Sequence, residues 1–112
     1  MALGIGDVRQ MALAFPEAHV QDHHGFPSFR VGTKIFATLP DEDSLNVMLA
    51  AVDVPTALSL CPGLSALHWG QKLCGVRVTL ATAEAEPVSE LLAQAWRRVA
   101  TKKGLAAAVT AG

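Results

Sequence analysis

The chain has 112 residues, of which 51% are hydrophobic and 17% charged, and its formal net charge is −1. This length fits one domain, and the apolar content is too high for an intrinsically disordered chain. No segment approaches the roughly 18 uncharged apolar residues of a membrane span and the first residues do not resemble a secretory signal, so we expect a cytoplasmic protein without a membrane partner.

The first predicted element is a short amphipathic helix over residues 7–15. Apolar side chains recur at helical spacing from Val8 to Phe15, which is the pattern of a helix that buries one face. Asp7 suits the N-cap position, and Pro16 ends the helix.

Short extended segments follow this helix. Residues 19–24 are polar and predict either an edge strand or a loop. Residues 28–31 and 34–39 flank Gly32, which suits the first position of a two-residue hairpin turn. The turn predicts three cross-strand pairs, which are Val31 with Lys34, Arg30 with Ile35, and Phe29 with Phe36. An acidic turn over 41–43 leads into a strand over 44–50. Its Leu45, Val47 and Leu49 point to one face, and Asn46 and Met48 point to the other.

The second half of the chain predicts a helix over 53–60 capped by Asp53, a strand over 73–80 and a helix over 87–103 that ends at Gly104. Residues 104–112 extend the last helix or fray. The order is helix, three or four strands, helix, strand, helix. We therefore predict an α+β fold, a two-layer sandwich with helices on one face of an antiparallel sheet. The other face stays open unless a partner covers it.

The histidines have two interpretations. His19, His23 and His24 belong either to a polar edge segment or to a metal site whose third ligand comes from elsewhere in the chain. The spacing matches no helical or ribbon-type zinc motif, so we predict no metal centre. The glycines follow no phosphate-binding pattern, so we also predict no nucleotide cofactor.

The two cysteines, Cys61 and Cys74, are widely separated, and we expect buried, reduced thiols. Cys74 with His68 is the alternative, a nucleophile and its base. An enzyme would have to draw on a small set of residues, which are Asp22, His23, His24, His68 and Cys74. Because nothing in the sequence brings them together, we predict no catalytic site.

Eight of the nine basic side chains occur in two groups. One lies on strands or hairpins and consists of Arg30, Lys34, Lys72 and Arg77; the other lies near the end of the last helix and consists of Arg97, Arg98, Lys102 and Lys103. Cations at a helix C-terminus complement its dipole, which explains the second group without a function. The first group predicts a face that meets phosphates, although a pI near 6.4 argues against a strongly electrostatic binder.

Three segments resemble the MmcQ/YjbR family of small bacterial proteins. They are FRVGTKIFATL at 29–39, HWG at 68–70 leading into VRVTL at 76–80, and ELLAQAWRRVATKK at 90–103. Thr33 departs from the usual second glycine, and 100–102 departs from the usual Ala-Pro-Lys. The resemblance implies one domain over 1–112 with its core at about 7–103 and a C-terminal extension at 104–112.

That resemblance also implies a compact α+β domain related to frataxin-like and secretion-chaperone-like architectures. Two of its hairpins resemble a double wing, and family members are often labelled DNA-binding for this reason. We therefore predict a non-enzymatic module that binds double-stranded DNA through all eight basic residues named above. The alternative is a protein- or peptide-binding adaptor, or a homodimer formed through the open face of the sheet.

Overall fold

Six strands form one antiparallel sheet in the computed structural model, which describes residues 3–59 and 63–111. In chain order the strands are β1 (His19–His23), β2 (Phe26–Val31), β3 (Lys34–Asp41), β4 (Ser44–Met48), β5 (Leu64–Trp69) and β6 (Lys72–Thr79). They lie side by side in the order β1-β2-β3-β4-β6-β5, so β1 and β5 are the edge strands. The polar histidine segment is therefore a strand rather than a loop.

Four helices accompany the sheet, and they are α1 (Ile5–Leu13), α2 (Val54–Leu58), α3 (Ala85–Val99) and α4 (Lys102–Ala111). The segment that follows α1 packs against both α3 and the sheet. The Phe15 ring stacks on Trp96 of α3 at 5.4 Å between centroids and meets Phe36 of β3 edge-on. The Trp96 indole N–H donates a hydrogen bond to the Pro16 carbonyl at 3.0 Å. The predicted α+β fold is confirmed, with a helical layer against the sheet.

Alternation along β4 separates the two faces of the sheet. Leu45, Val47 and Leu49 are buried in the core that includes α1 and α3. Asn46 and Met48, which point the other way, are only half-buried. The helices thus cover one face, here called the covered face, and the opposite face is called the open face.

The β2–β3 hairpin contains a β-bulge that the sequence pattern does not predict. The first two predicted pairs are confirmed, but Phe29 faces Ala37 rather than Phe36, because the register shifts between Phe29 and Arg30. Because β3 has one extra residue at the bulge, two consecutive side chains, Phe36 and Ala37, both belong to the core on the covered face, within a run of four buried residues at 36–39. The predicted Phe29–Phe36 pair is wrong for this reason.

The predicted element order lacks one strand. A single strand was expected after α2, whereas β5 and β6 form a second hairpin there. β5 is an edge strand, and four of its six side chains are exposed, with only Leu64 and Leu67 partly buried. Such a strand has little hydrophobic alternation, so local sequence does not reveal it.

The C-terminal helix is divided in two. Ala100 has an extended backbone (φ −65°, ψ 146°) between α3 and α4, so the predicted continuous helix over 87–103 is wrong. Gly104 lies buried within α4 rather than at a C-cap, and a Cβ there would approach Glu17 Oε1 to 2.8 Å. Residues 104–111 therefore belong to a separate helix rather than to an extension of α3 or a frayed end. No helix in the described ranges is both long and apolar enough to cross a membrane.

The two predicted aspartate caps also differ from the structure. Asp7 is the third residue of α1, where its carboxylate accepts a hydrogen bond from the Gly4 N–H at 2.8 Å. Asp53 does precede α2, but its side chain makes no capping hydrogen bond. The predicted end of that helix at Leu60, like Cys61, lies outside the described residues.

Candidate nucleic-acid interface

Two hairpin turns lie at the same end of the sheet. One, at Gly32, joins β2 to β3, and the other, at Gly70, joins β5 to β6. Because β4 is antiparallel to both β3 and β6, those two strands start at the same end. Gly32 and Gly70 have φ values of 61° and 63°, which side chains other than glycine rarely adopt. We call this the hairpin end, and the opposite end, with turns at 24–25 and 42–43, the acidic end.

Three of the predicted cations meet in a groove of about 550 Å³ at the hairpin end. Lys34 begins β3, Lys72 begins β6, and Arg98 lies in the last turn of α3. All three side chains are exposed, and none of the described residues that line the groove is acidic. We call this the cationic groove. It brings together side chains that lie far apart along the chain.

Two other predicted cations on strands lie away from this groove. Arg30 is half-buried, with its Nε donating to Ser28 Oγ at 2.8 Å and a guanidinium nitrogen 3.4 Å from His23 Nδ1. Arg77 pairs with Asp41 at 3.3 Å and donates to Ser44 Oγ at 3.1 Å. These partners hold Arg30 against the open face and partly neutralise Arg77 near the acidic end. The eight cations therefore do not form one face.

The predicted helical cluster is divided between two helices. Arg97 lies in the last turn of α3, where the helix dipole favours a cation, and lines a second groove with Glu90. Lys102 and Lys103, in contrast, begin α4. The dipole explanation is wrong for these two lysines, because the N-terminus of a helix disfavours positive charge.

Acidic side chains collect at the other end of the sheet. The turn after β3 holds Asp41, Glu42 and Asp43, and Glu84 and Glu86 lie at the start of α3. The Asp43 backbone N–H donates to the Asp41 carboxylate at 2.8 Å, and this bond, with smaller contributions from Ser44 and Arg77, lowers the pKa of Asp41. The net charge of −1 thus conceals an acidic cluster at this end of the sheet, whereas at the hairpin end Glu17 lines a groove next to Lys34.

The centre of the open face holds a cavity of about 360 Å³, here called the open-face pocket. Its lining consists of His23, Phe26, Ile35, Thr38, Asn46, Met48, Leu67, His68, Trp69 and Cys74. Trp69 is 81% exposed, and the buried Asn46 Oδ1 has no hydrogen-bond partner. Sequence reasoning missed this pocket, although the alternation of β4 already placed Asn46 and Met48 on the open face.

The three histidines considered as metal ligands do not form a metal-binding group with other described side chains. His19 is exposed at the start of β1, and His24 lies in the following turn with a φ of 53°. The His23 ring packs against His24, with centroids 4.4 Å apart. Within residues 3–59 and 63–111, no group of three or more histidine, cysteine or acidic side chains could hold a metal ion. The prediction that no metal binds awaits direct measurement.

Of the five residues considered as candidates for catalysis, three line the open-face pocket. They are His23, His68 and Cys74. The Cys74 thiol donates to the Leu67 carbonyl at 3.4 Å, while Asp22 accepts a hydrogen bond from a backbone N–H in the β1–β2 turn. Nothing in these contacts tests for a reaction, so the absence of catalysis stays a prediction.

These features define a small two-layer α+β domain whose sheet has one covered and one open face. The model of the YjbR family matches residues 13–98, which is most of the chain, so the chain belongs to the YjbR family. The predicted resemblance is thereby confirmed. The match includes Lys34, Lys72 and Arg98 but ends before α4. Comparisons with curated proteins and with solved structures found no match.

Proposed function

We propose that the protein is a non-enzymatic nucleic-acid-binding module that contacts phosphates through the cationic groove. The observation that carries this proposal is the meeting of Lys34, Lys72 and Arg98 in one groove free of acidic lining residues among those described. Lysine and arginine clusters of this kind provide the sequence-independent part of nucleic-acid affinity.

The position of the two hairpin turns favours double-stranded DNA as the ligand. Lys34 and Lys72 each directly follow a hairpin turn, so both are carried at the edge of the molecule beside the groove. Family resemblance to a double wing points the same way. Contacts to phosphates carry no sequence information, so we expect little sequence preference. With three phosphate contacts, the plot of log affinity against log salt should have a slope of about −3.

A fluorescence-anisotropy titration of labelled duplex DNA at several salt concentrations tests this proposal. The wild-type protein should bind at low salt and lose affinity steeply as salt rises. The triple variant Lys34→Ala, Lys72→Ala, Arg98→Ala should lose most of the affinity and most of the salt dependence. Since all three side chains are exposed, the variant should retain its fold, which circular dichroism checks.

Arg77→Ala provides the matched control, because Arg77 is also an exposed strand cation but is paired with Asp41 near the acidic end. It should bind DNA as the wild type does. If only overall charge mattered, Arg77→Ala would lose about one third of the log affinity that the triple variant loses, because it removes one charge instead of three, and that result would contradict a role for the groove. Absence of binding at low salt would overturn the proposal.

A protein- or peptide-binding adaptor, or a homodimer formed through the open face, is the second candidate. The exposure of Trp69 beside the apolar open-face pocket favours it, since such patches often mark protein contacts. Light scattering distinguishes the candidates. A dimer that dissociates on Trp69→Ala and does not bind DNA would support the second candidate, whereas a monomer that binds DNA supports the first.

A further inference from the structure

The open-face pocket and the cationic groove adjoin each other at the hairpin end. Ile35, Met48 and Cys74 line both, and the groove extends from there to Arg98 and Val99 of α3. One is mostly apolar, and the other carries three cations. Together they form a surface on which an apolar group and an anion can bind side by side.

The pocket carries an aromatic side chain whose exposure folding does not explain. Trp69 is 81% exposed at the end of edge strand β5, whereas Trp96 in the covered layer is only 3% exposed. Phe26 and two imidazoles, His23 and His68, complete the aromatic part of the lining. Aromatic side chains on an open strand face are the groups on which unpaired bases stack.

The pocket also carries an amide that is free to bind a ligand. Asn46 lines the pocket, its Oδ1 is buried without a partner, and no hydrogen bond in the described chain fixes its side chain. The amide oxygen is a hydrogen-bond acceptor, so the group that it lacks is a donor. An amide of this kind pairs with the exocyclic amino group of a base.

We propose that the open-face pocket binds an unpaired nucleobase with an exocyclic amino group, while the attached phosphate lies in the cationic groove. This inference rests on the proposed function and makes it more specific: the phosphate contacts bind a duplex and a single strand alike, and the pocket adds affinity for a single strand or an unpaired end. The pocket volume of about 360 Å³ lies within the range of small-ligand sites. Trp69 stacks on the base, and the Asn46 amide selects adenine, cytosine or guanine over thymine.

Tryptophan fluorescence tests the inference directly, because Trp69 is exposed and Trp96 is buried. Short oligo-dA should quench the emission, and the quenching should disappear in Trp69→Phe, which leaves Trp96 alone. Oligo-dT should bind about fivefold more weakly than oligo-dA, because thymine lacks the amino group. Asn46→Val should abolish this preference and leave the salt dependence unchanged.

Anisotropy with labelled oligo-dA and duplex DNA separates this inference from the proposed function. Trp69→Ala should weaken single-strand binding about tenfold and leave duplex binding nearly unchanged. Ile5→Ala, another exposed apolar side chain but at the acidic end, serves as the control and should change neither.

Three results would overturn the inference. Duplex binding that equals single-strand binding, with no effect of Trp69→Ala, would leave the proposed function intact and remove the base site. Failure of both ligands to bind at low salt would remove both. A change of Trp69 emission with protein concentration but not with nucleic acid would show that the open face is an interface between protein chains.

Discussion

The covered and open faces of the sheet are built from alternate residues of the same strands, yet their apolar side chains have different explanations. On the covered face, Leu45 and Val47 are fully buried in the core formed with α1 and α3. On the open face, Met48 and Trp69 line a pocket, and Trp69 remains 81% exposed. Folding explains the first surface. Burial in this fold does not account for the second, and this is the reason for which we propose a binding role for it.

The largest expected difference between the faces is in stability. Leu45→Ala on the covered face removes a fully buried side chain and should lower the free energy of unfolding by about 2–5 kcal/mol. Met48→Ala, three residues along the same strand, should lower the free energy of unfolding by clearly less, because Met48 is only half-buried on the open face. Urea denaturation measures both. Equal losses would contradict the contrast between the faces.

A second prediction concerns the backbone that the two faces share. Gly75 pairs with Met48, and a Cβ added to Gly75 would lie 2.0 Å from the Val47 carbonyl oxygen. Gly75→Ala must therefore push β4 and β6 apart and should cost about 2–3 kcal/mol of unfolding free energy. Gly6→Ala in α1, where the added Cβ meets no atom outside its own helix within 4 Å, should not lower the free energy of unfolding, since alanine has the higher helix propensity. A thermal melt that leaves Gly75→Ala unchanged would contradict this close approach.

A third substitution should stabilise the protein. Asn46→Val replaces a side chain whose buried oxygen has no partner with an apolar, β-branched one of similar size. We expect the free energy of unfolding to rise by about 1 kcal/mol. Asn46→Asp, which places a charge in the same position, should lower it. Destabilisation by valine would show that the amide serves the fold rather than a ligand.

The smallest expected effect lies at the acidic end. The folded protein lowers the pKa of Asp41, first through the Asp43 backbone N–H and then through Ser44 and Arg77. The resulting stabilisation is complete above the pKa that Asp41 has in the unfolded chain, and it is lost as the pH falls through the lower pKa of the folded protein. In the Asp41→Asn variant, the free energy of unfolding should therefore decrease less steeply as the pH falls through the acidic range.

Urea denaturation at a series of acidic pH values measures this slope. Glu42→Gln, the neighbouring acidic residue, should leave the slope as in the wild type. Arg77→Gln should weaken the effect only slightly, because the exposed ion pair is not the main cause of the lowered pKa. An unchanged slope in Asp41→Asn would show that the Asp43 hydrogen bond is not maintained in solution.

Much of the covered face could be predicted from local sequence. The alternation of β4 and the helical stripe of α3 each bury one side of a single element, and that pattern is visible without the rest of the chain. The turn at Gly32 is similarly local, because its backbone requires a φ that glycine adopts most easily. The α+β fold class follows from these elements and their order.

Other features of the fold could not be predicted from local sequence, because they depend on contacts between residues that are distant in the chain. The bulge at Phe36 lets Phe36 and Ala37 both belong to the core, and β5 exists because it pairs with β6 at an edge. Composition alone also did not show which cations meet. The sheet brings Lys34 and Lys72 to the same groove, with β4 between their strands, and leaves Arg77 with Asp41, because strand order and not sequence distance sets which side chains share a surface.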